Sequence, residues 1–366
     1  MTRPSLTYAA AGVDTQAGDR AVDLMKAAVG ATHGPHVYGD FGGFAGLFDA
    51  SALREYTRPL LATSTDGVGT KVDLARRLDV HDTIGQDLVA MVVDDIVVMG
   101  ARPLFMTDYI ACGEVVPERI SAIVTGIANA CAACDTALLG GETAEHPGLL
   151  APEEYDIAGA VTGVVEEGEM LGAHRVRPGD VLLALASSGL HSNGYSLVRA
   201  ALAAADVDLE AHDDEFGRTV GEELLEPTRL YTPICLPLLA QGGVHAMAHV
   251  TGGGLAANLA RVLPKGLRGR VIRSSWQVPP VFTAVQAWGQ VPIEDLENTL
   301  NLGVGMVLVC DPQKVDDIRV AVQTTDCDAW VLGEVAEDGE QVSGTYVSGT
   351  KGVDGGSVEL IGQYRN

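Results

Sequence analysis

The amino-acid sequence predicts an α/β protein, with α+β-like features, that has two domains. Its 366 residues are more than an average domain of roughly 150 residues needs, so two hydrophobic cores are expected. Apolar residues make up 47% of the chain and charged residues 20%, which is typical of a globular protein with a large core. Segments with strand and helix periodicity alternate in both halves. We place the boundary near residue 170, which gives domains 1–170 and 171–366.

The first half begins its regular structure with a strand-like segment, residues 60–65, that runs into an Asp-Gly pair. Residues 83–99 have apolar positions at helical spacing, and Gly100 is placed to end that helix. Pro117 opens another helix with one apolar face. Strands are predicted around these helices, at residues 104–111, 137–139 and 155–165.

The second half repeats the alternation after a Pro-Gly-Asp turn at residues 178–180. Strands are predicted at residues 181–186, 247–250, 305–309 and 329–332. Helices are predicted near Tyr195, after residue 254 and at residues 315–322. Periodicity gives the fold class in this way, but it does not give the order of the strands in either sheet.

The charge balance excludes some partners. The formal net charge is −25, from 49 acidic and 24 basic residues, and such a surface repels nucleic-acid phosphates and anionic lipids. Residues 1–5 lack the apolar stretch of a signal peptide, and polar side chains interrupt the apolar runs. The six cysteines lack the spacing of a disulfide scaffold. We therefore expect a cytoplasmic protein that binds neither nucleic acid nor membrane.

Acidic residues beside glycines form the densest group of candidate functional residues. They are Asp66, Gly67, Gly69, Thr70, Lys71, Asp94, Asp95, Gly140, Gly141 and Glu142. Carboxylates held in this way suit Mg²⁺ that bridges nucleotide phosphates, and Lys71 could neutralise a transferred phosphoryl group. A single Asp-Gly pair is usually only a turn, so the hypothesis depends on the whole group.

Another glycine cluster, which includes Gly42 and Gly43, has the glycine content of a phosphate-binding loop. It matches neither the Walker pattern nor the dinucleotide-binding fingerprint. The sequence therefore gives no support for a P-loop ATPase or a Rossmann dehydrogenase.

Two loops of the second half are candidates for binding an anion. The first connects a predicted strand to the helix near Tyr195, and its polar residues are Ser187, Ser188, His191, Ser192 and Asn193. Its amides and hydroxyls could bind a phosphate and His191 could transfer a proton, but a helix-capping loop with a surface histidine explains the pattern equally well. The second consists of Thr251, Gly252, Gly253 and Gly254. A purely structural turn seldom needs three glycines, so we favour phosphate binding there.

Two further patterns are interpreted as structural. Cys131 and Cys134 form a CxxC pair on the apolar face of a helix, with no second pair at zinc-finger spacing, so we expect buried thiols rather than a metal or redox site. A group of basic residues is expected to be solvated; its members are Arg261, Lys265, Arg268, Arg270 and Arg273.

Together, ordered motifs across most of the chain resemble the phosphoribosylformylglycinamidine cyclo-ligase family, also called aminoimidazole ribonucleotide synthetase. The motifs lie at residues 11–14, 17–19, 42–44, 66–71, 81–85, 87–91, 140–145, 147–148, 187–199, 226–229 and 251–254. One such match would carry little information, but the full set in this order is highly specific.

The resemblance implies a reaction and a set of site residues. ATP and formylglycinamidine ribonucleotide would give aminoimidazole ribonucleotide, ADP and phosphate, with Mg²⁺. Lys26 would contact the nucleotide together with the glycine loops at residues 42–43, 66–71 and 140–141. Asp66, Asp95 and Glu142 would lie near the metal, and His191 and the Thr251 loop would serve the ribonucleotide. Catalytic roles are expected for His191, Lys71 and Asp66.

The resemblance also implies a homodimer in which the N-terminal sheet pairs with that of a second subunit to form a barrel, and a C-terminal mixed sheet with flanking helices. Three positions depart from the family's frequent residues: Asp94 replaces Asn, His146 replaces Met and Leu300 replaces Phe. The added carboxylate of Asp94 would either alter metal affinity or face solvent.

Other functions stay open as alternatives. A selenophosphate synthetase needs an N-terminal cysteine or selenocysteine, whereas the first cysteine is Cys112. A hydrogenase maturation factor uses a C-terminal cysteine, whereas residues 363–366 contain none. A thiamine-phosphate kinase does not explain residues 187–199. A nucleotide sensor, a function of another class, would bind ATP without turnover.

Overall fold

A computed structural model describes residues 12–39, 42–339, 341–349 and 353–365 of the chain. Residues 1–5, residue 11 of the first family motif and residue 366 lie outside these ranges. Within them, no helix is long and apolar enough to cross a membrane.

Helices and strands alternate through both halves of the chain. The helices are α1 (Thr15–Ala31), α2 (Lys71–Leu78), α3 (Thr83–Val97), α4 (Pro117–Ala133), α5 (Tyr195–Ala205), α6 (Val220–Leu224), α7 (Thr232–Gln241), α8 (Gly254–Val262), α9 (Pro280–Gly289), α10 (Ile293–Glu297) and α11 (Val315–Gln323). The strands are β1 (Val37–Tyr38), β2 (Leu47–Phe48), β3 (Pro59–Gly67), β4 (Arg102–Cys112), β5 (Ala137–Glu145), β6 (Tyr155–Glu166), β7 (Val181–Ala186), β8 (His212–Asp213), β9 (Arg218–Thr219), β10 (Val244–His249), β11 (Leu267–Ile272), β12 (Val304–Cys310), β13 (Ala329–Glu337), β14 (Thr345–Ser348) and β15 (Ser357–Ile361).

The N-terminal sheet has the strand order β3-β6-β4-β5, with β4 and β5 parallel and the other pairs antiparallel. Helix α3 packs on β3, β4 and β6, and α4 packs on α3, α1 and β5. Side chains alternate between the two faces of a strand, so Met106 and Ile110 of β4 are buried under the helices. Tyr109 of β4 and Leu61 of β3 lie on the other face and are exposed.

The C-terminal sheet has the order β10-β12-β7-β13-β11-β15-β14, in which β11 and β15 are parallel and the other pairs antiparallel. Both of its faces are covered. Leu182 and Ala184 of β7 pack in a core with α8, while Leu183 and Leu185 pack in a core with α7 and α11. Every residue of β12 is buried, as expected for a central strand between two helical layers.

This architecture confirms the two-domain α/β class and the mixed C-terminal sheet with flanking helices. The strands and helices that periodicity predicts are all present, with ends that differ by a few residues. The predicted domain boundary near residue 170 lies between the N-terminal sheet, which ends with β6, and the C-terminal sheet, which begins with β7; the boundary itself stays a prediction.

The group of basic residues is not uniformly solvated, so that prediction is wrong. Arg268 lies on β11 and is buried, where it pairs with Asp338 and Glu359. Arg273 binds both carboxylate oxygens of Glu297, at 2.6 and 2.8 Å. Burial requires such partners for a charged side chain. In contrast, the interpretation of Cys131 and Cys134 is confirmed, because both thiols are buried in the helical core.

Candidate active site

The predicted functional loops of the two domains meet at one edge of the C-terminal sheet. The loop of residues 187–194 follows β7, and the loop of residues 250–253 follows β10. Both are tied to the start of the central strand β12, because the Ser187 amide donates to the Gly303 carbonyl (3.0 Å) and the Val250 amide donates to the Gly305 carbonyl (2.9 Å). The N-terminal domain supplies the turn of residues 66–70 and the C-terminal half of α3. We call this region the interdomain edge.

Lys71 lies inside the interdomain edge and not on its surface. Its side chain is fully buried, and the ammonium donates to Asp87 (2.9 Å) and to the carbonyls of His191 (3.0 Å) and Glu226 (2.7 Å). Burial lowers the pKa of Lys71 and raises the pKa of Asp87. An ammonium has three N–H donors, and all three are occupied. The predicted contact of Lys71 with a transferred phosphoryl group therefore does not fit this structure.

His191 is also interior. Its side chain is 1% exposed, and its Nε2 accepts a hydrogen bond from the Ser188 amide (3.2 Å). Burial, and then the nearby positive charges, lower the pKa of His191 well below its ordinary value. The imidazole is therefore neutral at neutral pH. The structure contradicts a surface histidine at this position, whereas a role of His191 in proton transfer stays a prediction.

The hydroxyl groups of the 187–194 loop mostly hold the loop in place. Ser188 Oγ donates to the Pro227 carbonyl (2.7 Å), and Ser192 Oγ donates to the Val68 carbonyl (2.8 Å). Within the described residues, the buried Ser187 Oγ has no hydrogen-bond partner. The predicted anion contacts of Ser188 and Ser192 are thus replaced by bonds to backbone carbonyls, and Ser187 is the hydroxyl that could still bind a ligand.

Asn193 joins this loop to the triple-glycine loop. Its Oδ1 accepts a hydrogen bond from the Gly252 amide (3.0 Å). Gly253 and Gly254 have φ angles of +102° and +73°, and a Cβ at Gly254 would lie 1.8 Å from the Glu297 carbonyl oxygen. The backbone conformation therefore requires glycine at positions 253 and 254. The number of glycines alone does not indicate phosphate binding, contrary to the prediction from the sequence. The Gly254 amide, at the start of α8, donates to the Thr251 carbonyl (3.1 Å).

His249 is the histidine whose environment favours a positive charge. Its Nδ1 bonds Asp95 Oδ1 (3.0 Å) while its buried Nε2 has no partner among the described residues. Burial acts to lower the pKa of His249, but the hydrogen bond with Asp95 and the neighbouring carboxylates, including Asp66, outweigh burial and raise it. No role was predicted for His249 from the sequence, although its position immediately before the Val250-Thr251 loop was a usable signal.

Asp94 does not face solvent. It is fully buried, and its carboxylate accepts hydrogen bonds from the amides of Tyr231 (3.0 Å) and Thr232 (2.8 Å) and from Thr232 Oγ1 (2.7 Å). Burial raises the pKa of Asp94. The carboxylate caps the start of α7, so the expectation that it faces solvent is wrong, whereas its effect on metal affinity stays a prediction.

The three predicted metal ligands do not form one cluster. Asp66, on β3, lies in one row of the sheet with Gly159, Asp108 and Gly141. Neighbouring strands are about 4.8 Å apart, so the β5 residues next to Glu142 are about 14 Å from Asp66. The described ranges contain no group of three or more His, Cys, Asp or Glu side chains that could hold a metal ion. Asp66 and Asp95 lie near His249, whereas Glu142 lines a cavity in the N-terminal domain.

Glu142 lines a separate cavity of about 550 Å³ in the N-terminal domain. Gly42 and Gly43 form one side of this cavity, and Gly140 and Gly141 form another. Its apolar lining comes largely from α1, α4 and β5 through Ala21, Met25, Val29, Val124 and Leu138. Lys26 is exposed on α1 beside this lining. The structure thus groups the predicted nucleotide-binding glycines at 42–43 and 140–141 but separates them from the 66–70 turn.

Asp108 is a cavity residue that the sequence argument missed. It is half-buried, lies in the cavity wall, and burial raises the pKa of its carboxyl to about 7. A Cβ at Gly141 would lie 2.1 Å from Asp108 Oδ1, so the glycine leaves the space that this carboxyl occupies. A carboxyl with a raised pKa in an apolar cavity is a common feature of ligand sites.

Comparison with known proteins adds to this geometry. Two family models match the chain: AIR synthase related protein, N-terminal domain, at residues 48–165, and AIR synthase related protein, C-terminal domain, at residues 177–344. A phosphoribosylformylglycinamidine cyclo-ligase of Desulfitobacterium hafniense is 49% identical over 92% of this chain and 98% of its own length. The chain belongs to the phosphoribosylformylglycinamidine cyclo-ligase family. Cyclo-ligases of Geobacillus thermodenitrificans (48% identity, 90% of this chain and 95% of theirs) and Brevibacillus brevis (47%, 90% and 96%) agree.

Solved structures outside the cyclo-ligase family share the fold. The hydrogenase maturation protein HypE of E. coli superposes with a TM-score of 0.64 at 18% identity, over 96% of this chain and 94% of its own. Thiamine-monophosphate kinase of Stenotrophomonas maltophilia gives 0.63 at 18% identity, over 94% of this chain and 97% of its own. At this identity the likeness concerns the fold alone. The resemblance inferred from the ordered motifs is confirmed by the family relatives.

Proposed function

We propose that this protein catalyses the ATP-dependent cyclisation of formylglycinamidine ribonucleotide to aminoimidazole ribonucleotide, with release of ADP and phosphate, in de novo purine biosynthesis. The observation that carries the proposal is 49% identity to a named cyclo-ligase over 92% of the chain. The interdomain edge and the cavity supply two places for two substrates.

The proposed chemistry divides ring closure into two displacements. The formyl oxygen attacks the γ-phosphorus of ATP, ADP leaves, and the former carbonyl oxygen becomes part of a good leaving group. An amidine nitrogen then attacks the formyl carbon, the carbon–oxygen bond breaks, phosphate departs and a proton is lost from nitrogen. Fixed donors in a water-poor site stabilise the charge that moves in both steps.

ATP is assigned to the 550 Å³ cavity. Its apolar lining suits a base, and backbone amides can approach a ligand closely at Gly42, Gly43, Gly140 and Gly141, which lack side chains. Lys26, exposed beside this lining, offers a positive charge to the phosphates. The ribonucleotide is assigned to the interdomain edge, where Ser187 offers a hydroxyl and the N-terminus of α8 offers the positive end of its helix dipole to the phosphate.

Mg²⁺ enters the proposal as a companion of ATP, because the described part of the chain holds no preformed metal cluster. Mg²⁺ takes many of its ligands from phosphates and water. We propose that Asp66 and Asp95, which lie near His249 at the interdomain edge, complete its coordination, and this requires the triphosphate of ATP to extend from the cavity to that edge.

We further propose a cytoplasmic homodimer built on the N-terminal sheet. Strand β3 is an edge strand of that sheet, with N–H and C=O groups available for pairing. Leu61, on the face away from the helices, is 64% exposed, and exposed apolar side chains on such a face favour association. These features support the predicted barrel between two subunits.

The test is turnover by the purified protein with a panel of substrates. Formylglycinamidine ribonucleotide and ATP should give aminoimidazole ribonucleotide, whereas thiamine monophosphate and selenide should give no product. Phosphorylation of thiamine monophosphate, or ATP binding without any turnover, would replace the proposal with a kinase or a sensor.

A further inference from the structure

The buried ammonium of Lys71 connects the two domains of the interdomain edge. Lys71 begins α2, directly after the 66–70 turn of the N-terminal domain. Two of its acceptors, the carbonyls of His191 and Glu226, belong to the C-terminal domain. Together with Ser192, whose Oγ donates to the Val68 carbonyl (2.8 Å), this side chain holds the backbone of the 187–194 loop against the turn that bears Asp66.

Asp87 extends this connection. Its carboxylate lies 2.8 Å from Lys71 Nζ and accepts hydrogen bonds from the Thr228 amide (2.9 Å) and Thr228 Oγ1 (2.6 Å). Both charged side chains are fully buried. A buried ion pair of this kind contributes little net stability, because desolvation offsets the attraction, but it restricts the arrangement of the segments it joins.

The conformation of His191 gives independent support. Its φ angle is +64°, in the left-handed region that residues other than glycine rarely adopt because it is strained. The carbonyl of this same residue accepts the hydrogen bond from Lys71. The Lys71 ammonium thus holds the residue at which the backbone of the loop is strained.

We propose that Lys71 is a positioning residue that fixes the 187–194 loop relative to the 66–70 turn, and so aligns the ribonucleotide with the phosphoryl donor. The predicted effect of Lys71 on kinetics rests on the proposed function, whereas its predicted effect on the 187–194 loop does not. Alignment errors of about 1 Å can lower rates by about 100-fold, so loss of the ammonium should affect catalysis without any contact between Lys71 and a substrate.

The experiment compares Lys71→Met with Lys265→Met by hydrogen–deuterium exchange of the ligand-free protein and by steady-state kinetics. Lys265 is exposed and pairs with Asp354, so it is the matched control. In Lys71→Met, peptides covering residues 187–194 and 226–228 should exchange about tenfold faster than in the wild type. kcat per folded molecule should fall about 100-fold and the KM for the ribonucleotide should rise. Lys265→Met should match the wild type.

Thr228→Val provides a milder variant if Lys71→Met does not fold. It removes only the hydroxyl donor to Asp87, and the same peptides should exchange about fivefold faster. The proposal is overturned if residues 187–194 and 226–228 exchange at the wild-type rate in a folded variant. It is also overturned if exchange rises equally throughout the chain, because Lys71 would then only stabilise the whole fold. It is also overturned if only the KM for ATP rises, as for a direct phosphate ligand. Because exchange needs no turnover, failure of the proposed reaction would be seen separately, in the wild type.

Discussion

Asp108 illustrates how burial alone sets the chemistry of one side chain. Its carboxyl lies between the apolar lining of the cavity and the Cα of Gly141, and burial raises its pKa to about 7. The neutral acid is therefore favoured in the folded protein up to neutral pH. In the unfolded chain the same carboxyl ionises near its ordinary value of 3.8.

This difference predicts a pH dependence of stability. From about pH 4 to about pH 7 the folded protein keeps a proton that the unfolded chain has lost, so the contribution of Asp108 to stability falls as pH rises and is gone above about pH 7. Asp108→Asn cannot ionise, so its melting temperature relative to the wild type should rise by about 2–4 °C between pH 5 and pH 7 and then stay constant.

Asp135→Asn is the control for this measurement, because the Asp135 side chain is 91% exposed. Its melting temperature relative to the wild type should be the same from pH 5 to pH 8. A constant difference for Asp108→Asn as well would show that this carboxyl titrates normally.

At the residue scale, the sequence indicated which segments contain candidate functional residues but not which contacts their side chains make. It indicated the 66–71, 187–193 and 251–254 segments as functional loops, and the structure joins them through the bonds of Ser192 to Val68 and of Gly252 to Asn193. It could not separate Asp94 from Asp95, because the two acids are adjacent and only the packing of α3 against α7 buries one of them. It also could not show that Lys71 is enclosed, since two of its three acceptors, the carbonyls of His191 and Glu226, are more than 100 residues away.

At the scale of elements, the contact between α3 and α4 depends on two glycines. A Cβ at Gly85 would lie 2.2 Å from the Ile127 amide nitrogen, and a Cβ at Gly126 would lie 2.0 Å from the Asp82 carbonyl oxygen. Both neighbours are backbone atoms, which cannot move without shifting a helix. The two helices therefore approach each other closely because neither has a side chain at the crossing.

We predict that Gly85→Ala destabilises the protein by about 3 kcal/mol, the range expected for overpacking against backbone. Gly30→Ala is the matched control, because Gly30 is on an exposed part of α1 and a Cβ there would meet no atom within 4 Å. Alanine is a better helix former than glycine, so this variant should be as stable as the wild type or slightly more stable. Thermal melting of both variants checks the pair, and equal melting temperatures would contradict the packing argument.

Elements with clear periodicity were predictable because that signal is local. Helix α7 was not predicted: it contains Pro237 and is apolar around most of its circumference, so neither periodicity nor breaker rules mark it. Strand β11 was not predicted, because Arg268 and Arg270 suggested a solvated group of basic residues. Arg268 can be buried because it pairs with Asp338. Asp338 lies on a distant part of the chain, so no local pattern reveals this partner.

At the scale of the whole molecule, the N-terminal sheet is helix-covered on one face, while Leu61 and Tyr109 are exposed on the other. The C-terminal sheet has cores on both faces. This asymmetry supports association through the N-terminal sheet and fits the proposed dimer. The strong net charge of −25 favours solubility but does not determine which surface associates.

A matched pair of surface variants tests the dimer. Leu61→Asp places a charge on the proposed interface and should shift the protein to monomers, because burying an unpaired carboxylate is costly. Val320→Asp, at a C-terminal position with similar exposure of 59%, should leave the dimer intact. Sedimentation equilibrium gives both masses. A monomeric wild type, or a Leu61→Asp protein that stays dimeric, would exclude the sheet as the interface.

The central claim is that the chain closes the imidazole ring by phosphorylating the formyl oxygen. Formylglycinamidine ribonucleotide labelled with ¹⁸O in the formyl group tests it most directly, with mass spectrometry of all products. We expect aminoimidazole ribonucleotide, ADP and phosphate in equal amounts, with the label in the phosphate. Phosphate without the label, or ADP formation without the imidazole product, would contradict it.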